Sequence, residues 1–309
     1  MNCPNCHTYN AEDARYCGRC GTTLEASGEV PRVRQDQPSS GPEGSQEPHL
    51  QADDPTSRLK PRSLGGLVRE TLAVYRWNFW VMLWISLPAN IPLFIAVFPS
   101  NPAVRSAVTL AGLFTGLLAD AAAVYAVSRW YLGRRANAAT CYLAALNTAM
   151  SLLLAAMIFF SGVLAGIILS FLGIGIPILV FVMVIWFCYV QAIMIEGKRP
   201  LESLRRSLEL VHGTWWRVFG IGVAFALLLL LAAGAASLPG ILLGLKHRLW
   251  GDLLATLGGV VVTPMAYIGA TLVYFDLRVR KEGYTLETLA TELGFSQDSP
   301  PQGPTTPQP

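Results

Sequence analysis

Four of the six cysteines lie within the first twenty residues, as Cys3-x2-Cys6 and Cys17-x2-Cys20. Two thiolate pairs at this spacing can close a tetrahedral shell around one Zn2+ in a reducing compartment. Four sulfur ligands leave no position for water, so the expected role of the metal is structural, one zinc per chain. Pro4, Gly18 and Gly21 suit the tight turns of such knuckles, and Arg15 and Arg19 can offset the residual negative charge. His7 could stand in for Cys6, but it breaks the two-residue spacing. A segment this short cannot bury a core, so zinc binding, worth on the order of 10 kcal/mol or more, must supply its fold.

Elsewhere the chemistry-bearing residues are sparse. Asp120 sits inside an apolar stretch, about 12 Å from its nearer end at about 1.5 Å per residue. A carboxylate there costs on the order of 2.5 to 3.5 kcal/mol and calls for a partner or water. It is read as a structural group packed among Ala119, Ala121, Ala122 and Ala123, with a proton or substrate contact as the alternative. Gln191 and Glu196 are expected to bond to the helix that follows them, and Asp276, Arg278 and Arg280 to anchor a helix end. The histidines, at 7, 49, 212 and 247, are scattered along the chain, and no nucleophile with a base or paired acids can be assembled. No enzymatic activity is expected.

The elements that carry these residues follow from composition. Only 14% of the chain is charged and 52% is hydrophobic, against about 25% charged for an average soluble protein. That balance points to a membrane. The net charge of +3 is too small and too dispersed to call for nucleic acid; anionic lipid is the natural counter-charge. Residues 22–61 hold six prolines and no aromatic residue, which predicts a disordered linker spanning on average about 35 Å as a flexible coil. Residues 295–309 read as a disordered tail. Between them, six apolar segments are long enough to cross a bilayer, at about 80–98, 108–128, 152–172, 176–195, 218–238 and 253–274. Their unbroken apolar runs exclude barrel strands and predict helices. Pro88, Pro92 and Pro264 are expected to kink two of them.

Basic residues set the expected orientation. Arg58 to Arg76, Arg129 to Arg135, Lys198 to Arg217 and Arg278 to Lys281 flank alternate loops, whereas the opposite loops carry Arg105, Lys246 and Arg248. By the positive-inside rule both termini are cytoplasmic, at the inner membrane.

An internal repeat organises the spans. VRETLAVYRWNFWVM (68–82) aligns without gaps on LRRSLELVHGTWWRV (204–218), each an amphipathic elbow feeding a span, and NAATCYLAALNTAM (137–150) is a weaker third copy. In the last of the three elbows Leu201, Leu204, Leu208, Val211 and Trp215 form one stripe. This stripe is expected to sink into the leaflet, with Arg205 and Arg206 on anionic headgroups and Trp215 and Trp216 at the interface. The fold expected is an all-α integral membrane bundle of six spans in three elbow-span-span units over residues 62–294. A small zinc-binding head occupies 1–21.

Two resemblances add to this reading. CPNCHTYNAEDARYCGRCG resembles the short zinc ribbons at the ends of many bacterial proteins. Glu196-Gly197 with LRRSLELVHGTWWRV, together with YFDLRVRKEGYTLETL (274–289), resembles bacterial membrane proteins related to the membrane domain of glycerophosphoryl diester phosphodiesterases, over roughly 62–292. The catalytic barrel of some of those relatives is missing here, so the resemblance implies a fold and no phosphodiesterase activity. The expected function is a non-enzymatic adaptor or regulator whose ribbon recruits a protein partner. The alternative is a transporter or lipid-handling protein that uses the bundle.

Overall fold

In a computed structural model the chain is described over residues 59–96, 98, 101–171, 174–242 and 248–295. The expected ribbon (1–21), most of the expected linker and the tail beyond Phe295 lie outside the described residues.

The described residues form eleven helices and no strand: α1 (Leu64–Trp77), α2 (Phe79–Ile95), α3 (Pro102–Tyr131), α4 (Ala138–Asn147), α5 (Ala149–Ser170), α6 (Gly175–Ile185), α7 (Tyr189–Glu196), α8 (Pro200–Val211), α9 (Trp215–Leu242), α10 (Arg248–Glu282) and α11 (Leu286–Glu292). Side-chain caps fix several starts. Ser63, Asn101, Asn137 and Thr285 each accept a backbone N–H from the first turn of the helix they precede. Pro102 and Pro200 occupy first-turn positions, where no amide donor is needed.

By length and composition five helices can cross a membrane, and six crossings result if α1 and α2, bent by 91°, are taken as one broken span. The expected fourth span, 176–195, is one of the five, at Gly175–Glu196, with a local break in its helix. α6 and α7 meet at a break over Trp186–Cys188. Pro88 and Pro92 lie within α2 and Pro264 within α10.

The three-unit repeat is visible as geometry. Each elbow (α1, α4, α8) is a short helix followed by a break at Asn78, at Thr148 or at His212–Thr214, and then a long apolar helix. At each break a side chain turns back to the elbow's last carbonyls: Asn78 Nδ2 to Val74 O at 3.0 Å, Thr148 Oγ1 to Ala145 O at 3.0 Å, and Thr214 Oγ1 to Val211 O at 3.1 Å. Each of these carbonyls also accepts the backbone N–H of the same residue, so the side chain doubles the bond that closes the elbow.

Packing is concentrated at the elbow end of the bundle. The C-terminal half of α3 from Leu118, the whole of α7 apart from Glu196, and α10 from Thr271 to Val279 are almost continuously buried there. Farther along, Leu164 and Ile168 on α5 and Leu227, Leu230 and Leu231 on α9 face outward, as a lipid-facing surface would. Between α5 and α6 the approach is close. A Cβ on Gly162 would lie 2.6 Å from the Trp186 ring, and one on Gly166 3.2 Å from Leu179 Cα. The small pair Gly162-x3-Gly166 is therefore required for packing.

Candidate functional site

The elbow end gathers most of the buried charge of the described residues, and α10 divides it into two clusters. Asp276 and Arg280 are four residues apart and share one side of the helix, while Arg278 points to the other.

On the first side the Asp276 carboxylate is 1% exposed and accepts four hydrogen bonds. Its Oδ1 takes the backbone N–H of Arg62 at 2.7 Å; its Oδ2 takes Arg280 Nε at 2.9 Å and Arg217 Nη2 and Nε at 2.8 and 3.3 Å. Arg217 and Arg280 also donate to the carbonyl of Arg62, at 2.6 and 2.8 Å. One carboxylate thus fastens the entrance to α1, the first turn of α9 and the end of α10. The packed chain begins earlier than the expected linker boundary at 61, since Leu59 is 8% exposed and joins the core.

On the other side Glu196, at the end of α7, receives Arg206 Nε of α8 on both oxygens at 2.9 Å and the Tyr274 hydroxyl at 2.7 Å. Arg206 Nη2 reaches Glu282 at 2.8 Å. Arg278 forms a two-pronged pair with Glu292 of α11, at 2.8 and 3.0 Å, and lies 3.7 Å from the centre of the Tyr284 ring. Tyr284 donates to Glu292 at 2.6 Å. Burial pushes the Tyr284 hydroxyl well up, and its bond to Glu292 reinforces this, so it remains a donor. Gly197, at φ 63°, ends α7 in the left-handed conformation and turns the chain into α8.

Chemically this arrangement fastens helices to one another. In these two clusters Asp276 and Glu196 have Arg or Tyr donors and Arg206, Arg217, Arg278 and Arg280 each have a carboxylate, which is how charges are held out of water at tolerable cost. No group of three or more His, Cys, Asp or Glu is placed to share a metal among the described residues. Cys141 and Cys188 are buried free thiols.

A family model matches residues 74–277, from the last turn of α1 to Leu277 within α10. The chain belongs to this family, described as a domain of unknown function (DUF7847). A zinc-ribbon domain model matches residues 2–24, which contain Cys3, Cys6, Cys17 and Cys20. No curated protein and no solved structure matches the chain. Within the DUF7847 match fall Glu196, Arg206, Arg217 and Asp276; Arg62, Glu282 and Glu292 fall outside it.

The residues expected at the lipid interface are separated by the fold. Arg205 is exposed and pairs with Glu209 one turn on, at 3.1 Å, whereas Arg206 turns inward to Glu196 and Glu282 and is not presented to headgroups. Trp216 is 78% exposed, but Trp215 stacks on Phe219, with ring centres 5.2 Å apart, and faces Phe181. The buried stripe of α8 is also rotated from the expected one. Ser203, Leu204, Ser207, Leu210 and Val211 face the protein, while Leu201 and Leu208 are exposed. The reason is Ser207: its Oγ accepts the N–H of Cys188 at 2.9 Å and donates to the carbonyl of Ile185 at 2.8 Å, satisfying the two backbone groups opened by the break between α6 and α7. A hydropathy stripe scores serine as outward-facing, so sequence reasoning missed it.

Asp120 lies among Ala119, Ala121, Ala122 and Ala123, all fully buried. Its Oδ1 is enclosed and, among the described residues, has no hydrogen-bond partner; the same holds for Oε1 of Gln191 on α7. The expected bond from Gln191 Oε1 to the following helix is not formed, whereas Glu196 makes the expected one to Arg206 of α8.

Proposed function

We propose that this chain is a non-enzymatic multi-pass protein of the inner membrane with both termini in the cytoplasm, an adaptor or regulator whose ribbon recruits a protein partner to a rigid helical platform. The observation that carries this reading is the pairing of a ribbon, matched over 2–24, with a bundle whose charged end is internally neutralised. Charges committed to holding elbows and spans together suit a fixed base. The chain between ribbon and α1 is long enough, at about 35 Å average span for a flexible coil, to present the ribbon away from that base. Cys3, Cys6, Cys17 and Cys20 hold one structural zinc in this reading. The distribution of Lys and Arg supports the orientation. A scaffold shared with the membrane domain of glycerophosphoryl diester phosphodiesterases is part of this proposal, and a phosphodiesterase activity is not.

The test is crosslinked affinity purification from membranes, comparing the native chain with Cys3→Ser at matched abundance, with zinc measured in both. A partner recovered with the native chain and lost with the variant is expected. Zinc content unchanged in Cys3→Ser, or identical partners from both, overturns the reading. A lipid-handling role is favoured by one observation, an apolar cleft of about 560 Å³ between α3 and α5, lined by Leu113, Phe114, Leu117, Met157 and Phe160.

A further inference from the structure

The neutralisation of the elbow end is incomplete beside the first elbow, where several cations line one cleft. An open cleft of about 730 Å³ is lined by α1, the C-terminal turn of α3 and the loop after it. Four cations line it, Lys60, Arg62, Arg134 and Arg135, against the single carboxylate Glu70. That carboxylate is already engaged, accepting Arg62 Nη2 at 3.2 Å and the Tyr131 hydroxyl at 3.0 Å. Lys60 and Arg135 are exposed, and neither side chain has a carboxylate partner among the described residues. Arg134 lies over the Phe295 ring, its guanidinium carbon 4.3 Å from the ring centre, and has no carboxylate partner among the described residues. This contrasts with Arg206, Arg217, Arg278 and Arg280, each held by a carboxylate.

The cleft is also built to keep its cations in place. Gly133, at φ 69°, turns the loop and donates to Trp130 O at 3.0 Å; Arg134 N–H donates to Arg129 O at 2.9 Å, and Arg129 Nη2 to Arg135 O at 3.0 Å. Holding like charges together on a fixed loop is repulsive unless an anion joins them. The anion's source follows from the aromatic residues. Trp77 and Trp130 line the cleft, and Trp77, Trp80 and Trp84, at 72%, 70% and 61% exposed, continue outward along α1 and α2. Exposed tryptophans in such a belt belong at the level where headgroups meet hydrocarbon.

We propose that this cleft binds the phosphate of an anionic phospholipid headgroup, with Lys60, Arg134 and Arg135 as its cationic ligands and Trp77 and Trp130 as its walls. The site is independent of any recruiting role of the ribbon. Three cations lining one cleft favour acidic phospholipids over zwitterionic ones, whose own ammonium group competes for the same oxygens.

The test uses the purified full-length protein titrated with short-chain phosphatidylglycerol or phosphatidylcholine, binding being read by native mass spectrometry and by the shift in thermal unfolding. Wild type is expected to bind phosphatidylglycerol at least about tenfold more tightly. Lys60→Gln and Arg135→Gln should each weaken phosphatidylglycerol binding about fivefold and the double variant about 25-fold, from the usual contribution of a basic residue near a lipid surface. Phosphatidylcholine binding should not change, nor should any binding in Arg105→Gln, which removes an exposed cation near the start of α3, at the far end of that helix from the cleft. Neither single variant loses an ion pair among the described residues, so the singles carry the test if the double variant fails to purify. No preference in wild type, retained preference in the variants, or an equal loss in Arg105→Gln overturns the site. Displacement of the lipid by equimolar inorganic phosphate overturns the lipid assignment and leaves a free-phosphate site.

Discussion

The first and last elbows, α1 and α8, occupy matching places in the repeat and bury matching positions. Leu67, Thr71 and Val74 face the core in one; Ser203, Ser207 and Leu210 face it in the other. Leu72 and Leu208, also aligned, are both about half exposed. Their charges are used differently. At the position where α1 carries Glu70, bonded to Arg62 and Tyr131, α8 carries Arg206, bonded to Glu196 and Glu282. The last elbow spans two acids from neighbouring helices and is closed by them, whereas the first leaves uncompensated cations at its rim. A repeat preserves which residues are buried, because that is set by helical periodicity, while the sign of each buried charge is free to change together with its partner.

Breaking the charged end outright should have the largest effect. Asp276→Ala strands two guanidinium groups and a backbone N–H and should destabilise by about 3 to 5 kcal/mol, read as a large loss of thermal unfolding temperature in detergent. A fall of less than about 1 kcal/mol would show that these arginines find water instead.

The aligned pair Ser207 and Thr71 separates the two elbows more finely. Ser207→Ala should cost about 1 to 3 kcal/mol, because it leaves the Cys188 N–H and Ile185 carbonyl unsatisfied in a buried break. Thr71 Oγ1 bonds only to Leu67 O of its own helix, already a ladder acceptor, so Thr71→Val, which removes the hydroxyl at nearly constant shape, should change stability by less than about 1 kcal/mol. Equal losses at the two positions would refute the idea that Ser207 repairs the break. Hydrogen exchange at Cys188 in Ser207→Ala should also rise.

The smallest effect belongs to the exposed pair. Arg205→Ala removes one surface contact to Glu209, worth about 0.3 to 0.5 kcal/mol, and unfolding temperature should hardly move. A loss comparable to that of Arg206→Ala would mean that Arg205 has partners in the folded protein beyond Glu209.

Sequence alone determined the parts of this protein that depend on local pattern. Hydrophobic run lengths gave helices able to cross a membrane, the alignment of 68–82 on 204–218 gave the repeat, and Cys-x2-Cys spacing gave a ribbon that a zinc-ribbon model matches at 2–24. These signals are local because each arises from the backbone period or from ligand spacing within a few residues. What only the tertiary structure decided is which polar side chains turn inward. Arg205 and Arg206 are neighbours of one type, yet about 100° of helical rotation puts one at the surface and the other between Glu196 and Glu282. Ser207 counts as polar in any hydropathy pattern, and its burial follows from a break in another helix some twenty residues earlier. Asp276 likewise reads as a helix-end charge until Arg62, far away in sequence, presents its N–H to it. Such partners meet only when distant segments pack, because a buried charge or hydroxyl is stabilised by groups that no local pattern contains.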